Sequence, residues 1–300
     1  MTLRLSPPGA WMSQKLVSQN LTSLSIALFS LSVSVSSPVL AQGRLLATSG
    51  VTQLEGAAGG GLVPWALISG YGEQGESSLS AFTTRTDVQD FRLEVLGASW
   101  SYNNQLELSA AQQSFRLKNT ATEIRQEIYG AKIKLAGDAV FTALPQLALG
   151  LQHKRLLDGD TAAAVGADNN TQGTDFYLSA SKVHLAALAG YNVLWNATVR
   201  ASKANQMGLL GFGGDDNGGY QWLPEVSALV LLRDGFAVGA EYRSKPDNLA
   251  AFREDDYRDL FIAWFPHKQL NLTLAWAQLG SIAGSDDQDG LYLSLTGYFQ

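Results

Sequence analysis

The chain has 300 residues, with 21 Lys and Arg against 27 Asp and Glu, and it contains no cysteine. An acidic balance argues against nucleic-acid binding, and the lack of thiols excludes disulfides and thiolate chemistry. No stretch after residue 41 reaches the run of about 18 apolar residues that a spanning helix needs.

Leu21 to Val35 is apolar apart from interspersed serines and follows Arg4 and Lys15 with no acidic residue nearby. It leads to Val39-Leu40-Ala41, a small-residue cleavage site. The run is too short and serine-rich to anchor in a bilayer, so residues 1–41 are expected to be a secretory signal peptide. The mature chain then starts at Gln42. Translation from Met12 rather than Met1 would give a charged region of more ordinary length. Removing residues 1–41 leaves 19 bases against 27 acids, a net charge of −8.

Residues 43–76 are irregular and glycine-rich, with Gly56 and Gly59-Gly60-Gly61. Leu62 to Ile68 is apolar but broken by Pro64. It reads either as a first strand or as part of an amino-terminal segment tucked into a barrel. Strand parity, below, favours the second, so residues 42–76 are expected to be lumenal or periplasmic and to serve as a plug.

Twelve segments with strand character follow, over 78–84, 89–101, 105–115, 123–135, 144–154, 174–185, 191–203, 222–232, 235–244, 257–265, 269–279 and 290–299. Most are near the length a tilted membrane strand needs, about 9–11 residues. Val193, Trp195, Ala197 and Val199 alternate with Asn192, Asn196, Thr198 and Arg200. Leu270, Leu272, Leu274 and Trp276 alternate with Asn271, Thr273, Ala275 and Ala277. A period of two puts each set on its own sheet face. Segments 174–185 and 257–265 carry large residues on both faces and are ambiguous.

In the last segment Leu291, Leu293, Leu295, Gly297 and Phe299 alternate with Tyr292, Ser294, Thr296, Tyr298 and Gln300. Leu291, Leu293, Leu295 and Phe299 are expected to form the lipid-facing side of a barrel-closing strand. The pattern resembles the terminal signal of outer-membrane proteins, shifted by one because Gln300 follows Phe299. Connections also alternate: short near Asn103-Asn104, Ala187–Gly190, Arg233–Gly235 and Pro266–Gln269, long and polar over 155–173, 204–221, 245–256 and 280–289. Outer-membrane barrels sort short periplasmic turns from long outer loops in this way. Residues 77–300 are therefore predicted to be an all-β, antiparallel transmembrane β-barrel of about 12 strands, in the outer membrane of a Gram-negative bacterium. A thirteenth strand at 62–70 would break the parity. Aromatic residues near strand ends, including Trp100, Tyr102, Trp264, Phe265, Trp276, Tyr298 and Phe299, are expected to form interfacial girdles.

The string Glu55-Gly56-Ala57-Ala58-Gly59-Gly60-Gly61-Leu62-Val63-Pro64-Trp65-Ala66 resembles a family of proteobacterial outer-membrane proteins known as a domain of unknown function. So do Lys203-Ala204-Asn205-Gln206 with Gly208–Gly214, Ala237–Arg243 with Lys245-Pro246-Asp247-Asn248-Leu249, Glu254-Asp255-Asp256 and Ala263-Trp264-Phe265-Pro266. The resemblance runs through nearly the whole mature chain. It implies a signal peptide and an outer-membrane barrel, and brings no substrate or catalytic residue with it.

Charges on the expected inward faces are Arg92, Glu94, Glu107, Lys132, Lys134, Lys154, Arg200, Glu225, Glu241 and Arg243. Facing lipid at mid-depth, a Lys or Arg would cost about 2–4 kcal/mol, which argues that these ten line the lumen. They either set the selectivity of an aqueous path or pair across the lumen and close it. Lys203 to Gly214 lacks a Gly-Lys-Ser/Thr ending, so phosphate binding is not predicted; an ordered loop at the barrel mouth is. The acidic loop clusters, such as Asp215-Asp216-Asn217 and Asp255-Asp256, lack EF-hand spacing and read as solvated carboxylates. Of the three histidines, His153, His184 and His267, none has a serine two residues away, as the outer-membrane phospholipase barrels do, and no cofactor, metal or catalytic residue is predicted.

The leading expectation is an outer-membrane channel for passive diffusion or transport of small solutes. The alternative is a structural envelope protein whose outer loops bind lipopolysaccharide or a partner, and the third is a lipid-acting barrel enzyme. Expected partners are outer-membrane lipid and lipopolysaccharide, the barrel assembly machinery and a small solute.

Overall fold

The computed structural model describes residues 44–167, 170–233 and 235–300. The expected signal peptide, its cleavage site and both candidate start sites lie outside the described residues. Twelve strands carry the fold: β1 Ser77–Val88, β2 Phe91–Tyr102, β3 Leu106–Leu117, β4 Glu123–Ala136, β5 Gln146–Leu156, β6 Gln172–Leu188, β7 Tyr191–Ser202, β8 Gln221–Arg233, β9 Phe236–Arg243, β10 Tyr257–His267, β11 Leu270–Gln278 and β12 Asp289–Phe299. Each pairs antiparallel with its sequence neighbour, and β12 closes the barrel on β1, from Gly290 opposite Val88 to Phe299 opposite Leu79. Closure removes every sheet edge, the condition a sheet must meet in hydrocarbon.

Alternation fixes what each face meets. Along β12, Leu291, Leu293 and Phe299 are exposed, while Tyr292, Ser294, Thr296 and Tyr298 are buried. On β11, Leu274 and Trp276 are exposed and Asn271, Thr273, Ala275 and Ala277 buried. The outer face is therefore apolar and the inner face largely polar, the arrangement of a transmembrane barrel. Trp100, Tyr102, Trp264, Trp276 and Phe299 stand on the outer face near strand ends. Phe265 and Tyr298, expected in the same girdles, are buried on the inner face instead.

Two further features depart from the sequence reading. Strand β1 runs to Val88 rather than ending at residue 84, because Arg85 and Asp87 continue the alternation on the outer face. Arg92 and Glu94 also point outward, alternating with the buried Phe91, Leu93 and Val95. They lie at the long-loop end of the wall, where a lipid-facing charge costs about 0–1 kcal/mol rather than the midplane amount, so the argument that turned them inward does not apply. Arg92 pairs with Asp87 at 2.8 Å, and Glu94 sits between Arg85 and Arg116 at 3.7 and 3.8 Å. Lys118 joins Asp87, and Arg116 reaches Glu123 at 3.3 Å, so a ladder of ion pairs crosses the outside of β1 to β4.

The lumen is full. Residues 49–71 are buried throughout, folded around a short antiparallel pair, Val51–Thr52 with Ala58–Gly59. From the other end, Lys203 to Gly213 turns back into the mouth. There Gln206 and Met207 adopt left-handed backbone (φ 46° and 61°), a conformation that costs a non-glycine residue about 1–3 kcal/mol. Side-chain contacts hold the turn: Gln126 donates to the Met207 carbonyl at 3.2 Å, and Tyr257 donates to Gln206 at 2.7 Å.

Candidate functional site

The candidate site is the layer where the amino-terminal segment meets the inner wall. A chain without regular structure leaves its backbone N–H and C=O groups open, and burying them unpaired is costly. Here the wall supplies the partners. The Leu54 carbonyl accepts from Gln113 at 2.8 Å, the Pro64 carbonyl accepts from Thr198 at 2.8 Å and Ser179 at 3.1 Å, and the Ala66 carbonyl accepts from Gln146 at 2.7 Å. The Ala66 N–H donates to Ser181 at 2.9 Å, and Trp65 Nε1 donates to Ser227 at 2.9 Å. Serine, threonine and glutamine, spaced two apart on the strands, act as a polar lining fitted to one particular backbone path.

Two charged groups strengthen that lining. Glu107 on β3 accepts the Ala58 N–H at 2.9 Å and the Ser69 N–H at 2.8 Å. Its partner Lys132 on β4, 3.2 Å away, donates to the carbonyls of Ala58 and Leu67 at 2.8 and 2.9 Å. The pair thus clamps both limbs of the segment. On the opposite wall Glu241 accepts the Leu62 N–H at 2.6 Å and the Ser227 hydroxyl at 2.6 Å. This approach explains Gly60: a Cβ there would sit 1.8 Å from Glu241 Oε1. Asp259, opposite Glu241 on β10, is buried with neither carboxylate oxygen hydrogen-bonded among the described residues.

The centre is a six-membered charge cluster. Glu55 of the inserted segment contacts Lys154, Arg243 at 2.6 Å and Arg200 at 3.6 Å. Asp175 binds Lys154 at 2.6 Å and Arg200 at 3.2 Å, and Glu225 binds Arg200 at 2.5 Å and Arg243 at 3.4 Å. Three cations meet three carboxylates, each with a side chain no more than 5% exposed. Arg200 also lies over the Tyr177 ring at 5.5 Å. Burial by itself would raise the Glu55 carboxyl, but Arg243, Lys154 and Arg200 outweigh it and hold the group below the usual carboxylate range.

Of the ten lumen candidates, Glu107, Lys132, Lys154, Arg200, Glu225, Glu241 and Arg243 are buried on the inner face, in contact with the inserted segment or with its counter-charges. Lys134 stands at the short-turn mouth, 3.7 Å from Asp138. Arg92 and Glu94 lie outside, as described. Sequence reasoning missed Glu55 and Asp175. Glu55 was hidden in an irregular stretch, yet it is the sole acid between residues 43 and 72. Asp175 lies in phase with Tyr177, Ser179 and Ser181 on a strand whose outer residues are also large.

The histidines lie apart from this layer. His153 hydrogen-bonds Thr174 at 2.9 Å, His184 accepts from Trp195 Nε1 at 3.0 Å, and His267 accepts from the Gln269 N–H.

Among solved structures, the chain is similar to the KdgM porin at 9% identity with a TM-score of 0.49, over 74% of this chain and 99% of that one. It is similar to the outer-membrane protein Omp33 of Acinetobacter baumannii at 7% identity and TM-score 0.45, over 75% and 99%. The NanC porin gives 9% identity and TM-score 0.45, over 74% and 99%. No curated protein sequence matches the chain. The family model for a protein of unknown function, DUF3034, matches residues 48–296, nearly the whole described chain, and the protein belongs to that family.

Proposed function

We propose that the protein is a bacterial outer-membrane channel for small solutes, closed by the amino-terminal segment and by the inserted loop Lys203–Gly213. The observation that carries this reading is the chemistry of the inner wall. A barrel needed only for rigidity is served as well by an apolar interior, since buried ion pairs are often no more stabilising than packed hydrophobic residues of similar volume. A wall that must hold water once its plug withdraws needs groups such as Glu107, Lys132, Lys154, Arg200, Glu225 and Arg243. The segment that fills the lumen is held by side-chain hydrogen bonds and ion pairs, not by strand pairing with the wall. It can leave without breaking the barrel ladder. The sorting of short turns and long loops supports an outer-membrane setting with the short turns in the periplasm.

The test is conductance of the refolded mature chain in planar bilayers, with and without residues 42–76, after a heat-modifiable band on a gel has established the folded barrel. Steps in the truncated protein, with ion preference altered by Lys132→Glu, are expected. Silence from both forms of a folded barrel would sink the channel.

A second reading is favoured by the outer ladder of Arg85, Asp87, Arg92, Glu94, Arg116, Lys118 and Glu123. Charges of both signs facing outward at the long-loop end suit the phosphates and bridging cations of lipopolysaccharide. In that reading the barrel is a closed envelope protein held in the outer leaflet, and neither form conducts.

A further inference from the structure

The inner wall is not polar everywhere. At the short-turn end, on the side of β6 to β10, the inward positions carry Leu194, Leu229, Phe261 and Phe265 in place of serine, threonine and glutamine. These residues, roofed by Val51 and Trp65 of the inserted segment, line the inner part of an open chamber of about 590 Å³. Trp65 turns its Nε1 away toward Ser227. The inner part of the chamber lies on inward-facing positions, and the chamber opens at the short-turn rim past the exposed Leu185, Tyr191 and Leu232. Among the described residues that line it, Arg233 is the one charged side chain.

An apolar cavity of several hundred cubic ångströms with few polar groups is what a small-molecule site requires. Apolar wall left to water forfeits the gain of burial, and among the described residues none fills this volume. The lining is chiefly aliphatic and aromatic, with polar groups from Thr48, Tyr191 and Asn192 and one cation, and it selects its occupant by polarity and by charge. We propose that the chamber binds the acyl chain of a single-chain anionic amphiphile, a long-chain carboxylate being the simplest, with its head group on Arg233. The site does not rest on passage of solute through the lumen, and it stands whether or not the barrel conducts.

Binding is read on the mature chain in phosphatidylcholine nanodiscs. A fluorescent polyene fatty acid is the probe, and oleate and methyl oleate are the competitors. The wild type is expected to bind the probe saturably. Ala263→Trp and Ala237→Leu, on two different strands, fill the chamber without removing any hydrogen bond that holds the inserted segment, and each should weaken binding about tenfold or more. Arg233→Gln should weaken it by roughly threefold to tenfold, and oleate should compete better than its methyl ester by a similar factor. Unchanged affinity in a filled variant that still shows a heat-modifiable barrel would overturn the site, since the probe would then be partitioning into lipid. Equal competition by the ester would overturn the anionic head group. Probe release by empty nanodiscs serves as the baseline for both.

Discussion

The barrel carries two sets of ion pairs with nearly the same residue types on opposite faces. Inside, Lys154, Arg200 and Arg243 meet Glu55, Asp175 and Glu225 with side chains at most 5% exposed. Outside, Arg85, Arg92, Arg116 and Lys118 meet Asp87, Glu94 and Glu123 with side chains 29–51% exposed. In the outer set water can replace any partner, so each pair contributes about 0–1 kcal/mol. In the inner set no such replacement exists. Removing one partner there leaves a buried charge uncompensated, at about 3–5 kcal/mol. Burial, more than the number of pairs, therefore decides which set governs the molecule. It also makes Glu55, the one member supplied by the inserted segment, the counter-charge on which the docked state depends.

The largest effect should follow Glu55→Gln. It leaves three cations against two carboxylates and should loosen the segment by about 3–5 kcal/mol. The readout is hydrogen exchange at the amides of Leu62, Ala66 and Ser69, which are bonded to the wall in the wild type. Adding Lys154→Met should restore part of the loss, because the two charges balance. An equal loss in both variants would mean that the cluster is not a unit.

Acid should reach the same cluster more gradually. Because the cations hold the Glu55 carboxyl low in the folded state, its contribution is fully present above the unfolded value of about 4.3 and is lost as pH falls through the lowered folded value. Exchange at these amides, corrected for intrinsic rates, should therefore be flat from neutral pH to about pH 5 and rise only in stronger acid.

A smaller, steric effect is expected at Gly60→Ala. The added methyl meets Glu241 Oε1, and overpacking of this kind costs about 1–3 kcal/mol. Gly60→Ala should speed exchange at the Leu62 amide more than at the Ser69 amide, which is held by Glu107.

The smallest effect should come from Arg116→Ala on the outer ladder. A change of less than about 1 kcal/mol in barrel stability is predicted, shrinking as salt rises. A loss as large as that of Glu55→Gln would contradict the contrast between the faces.

Most of the architecture was legible in the sequence because a two-residue period is a strong signal when one face meets lipid. All twelve predicted segments overlap the strands found, and the alternation in 191–203, 269–279 and 290–299 assigned each residue to its face. Legibility failed where both faces are large or both are charged. Segment 257–265 was ambiguous because Phe261 and Phe265 line the apolar chamber while Leu260, Ile262 and Trp264 face lipid. Arg92 and Glu94 were misplaced because a pattern of two gives the face but not the depth, and depth sets the cost of a lipid-facing charge. The path of residues 44–76 has no periodicity to read. It is fixed by contacts from strands far away in sequence, as with Glu55 and Arg243, 188 residues apart.

The central claim is that this segment closes a hydrophilic lumen. The chain has no cysteine, and the Thr52 and Thr296 hydroxyls lie 3.0 Å apart across the segment and the wall. A Thr52→Cys/Thr296→Cys pair in the Glu55→Gln background would tether the loosened segment. In planar bilayers we predict no conductance from the oxidised protein, discrete steps after reduction, and silence again on reoxidation. Equal conductance in both redox states, or silence in both from a folded barrel, would contradict the account.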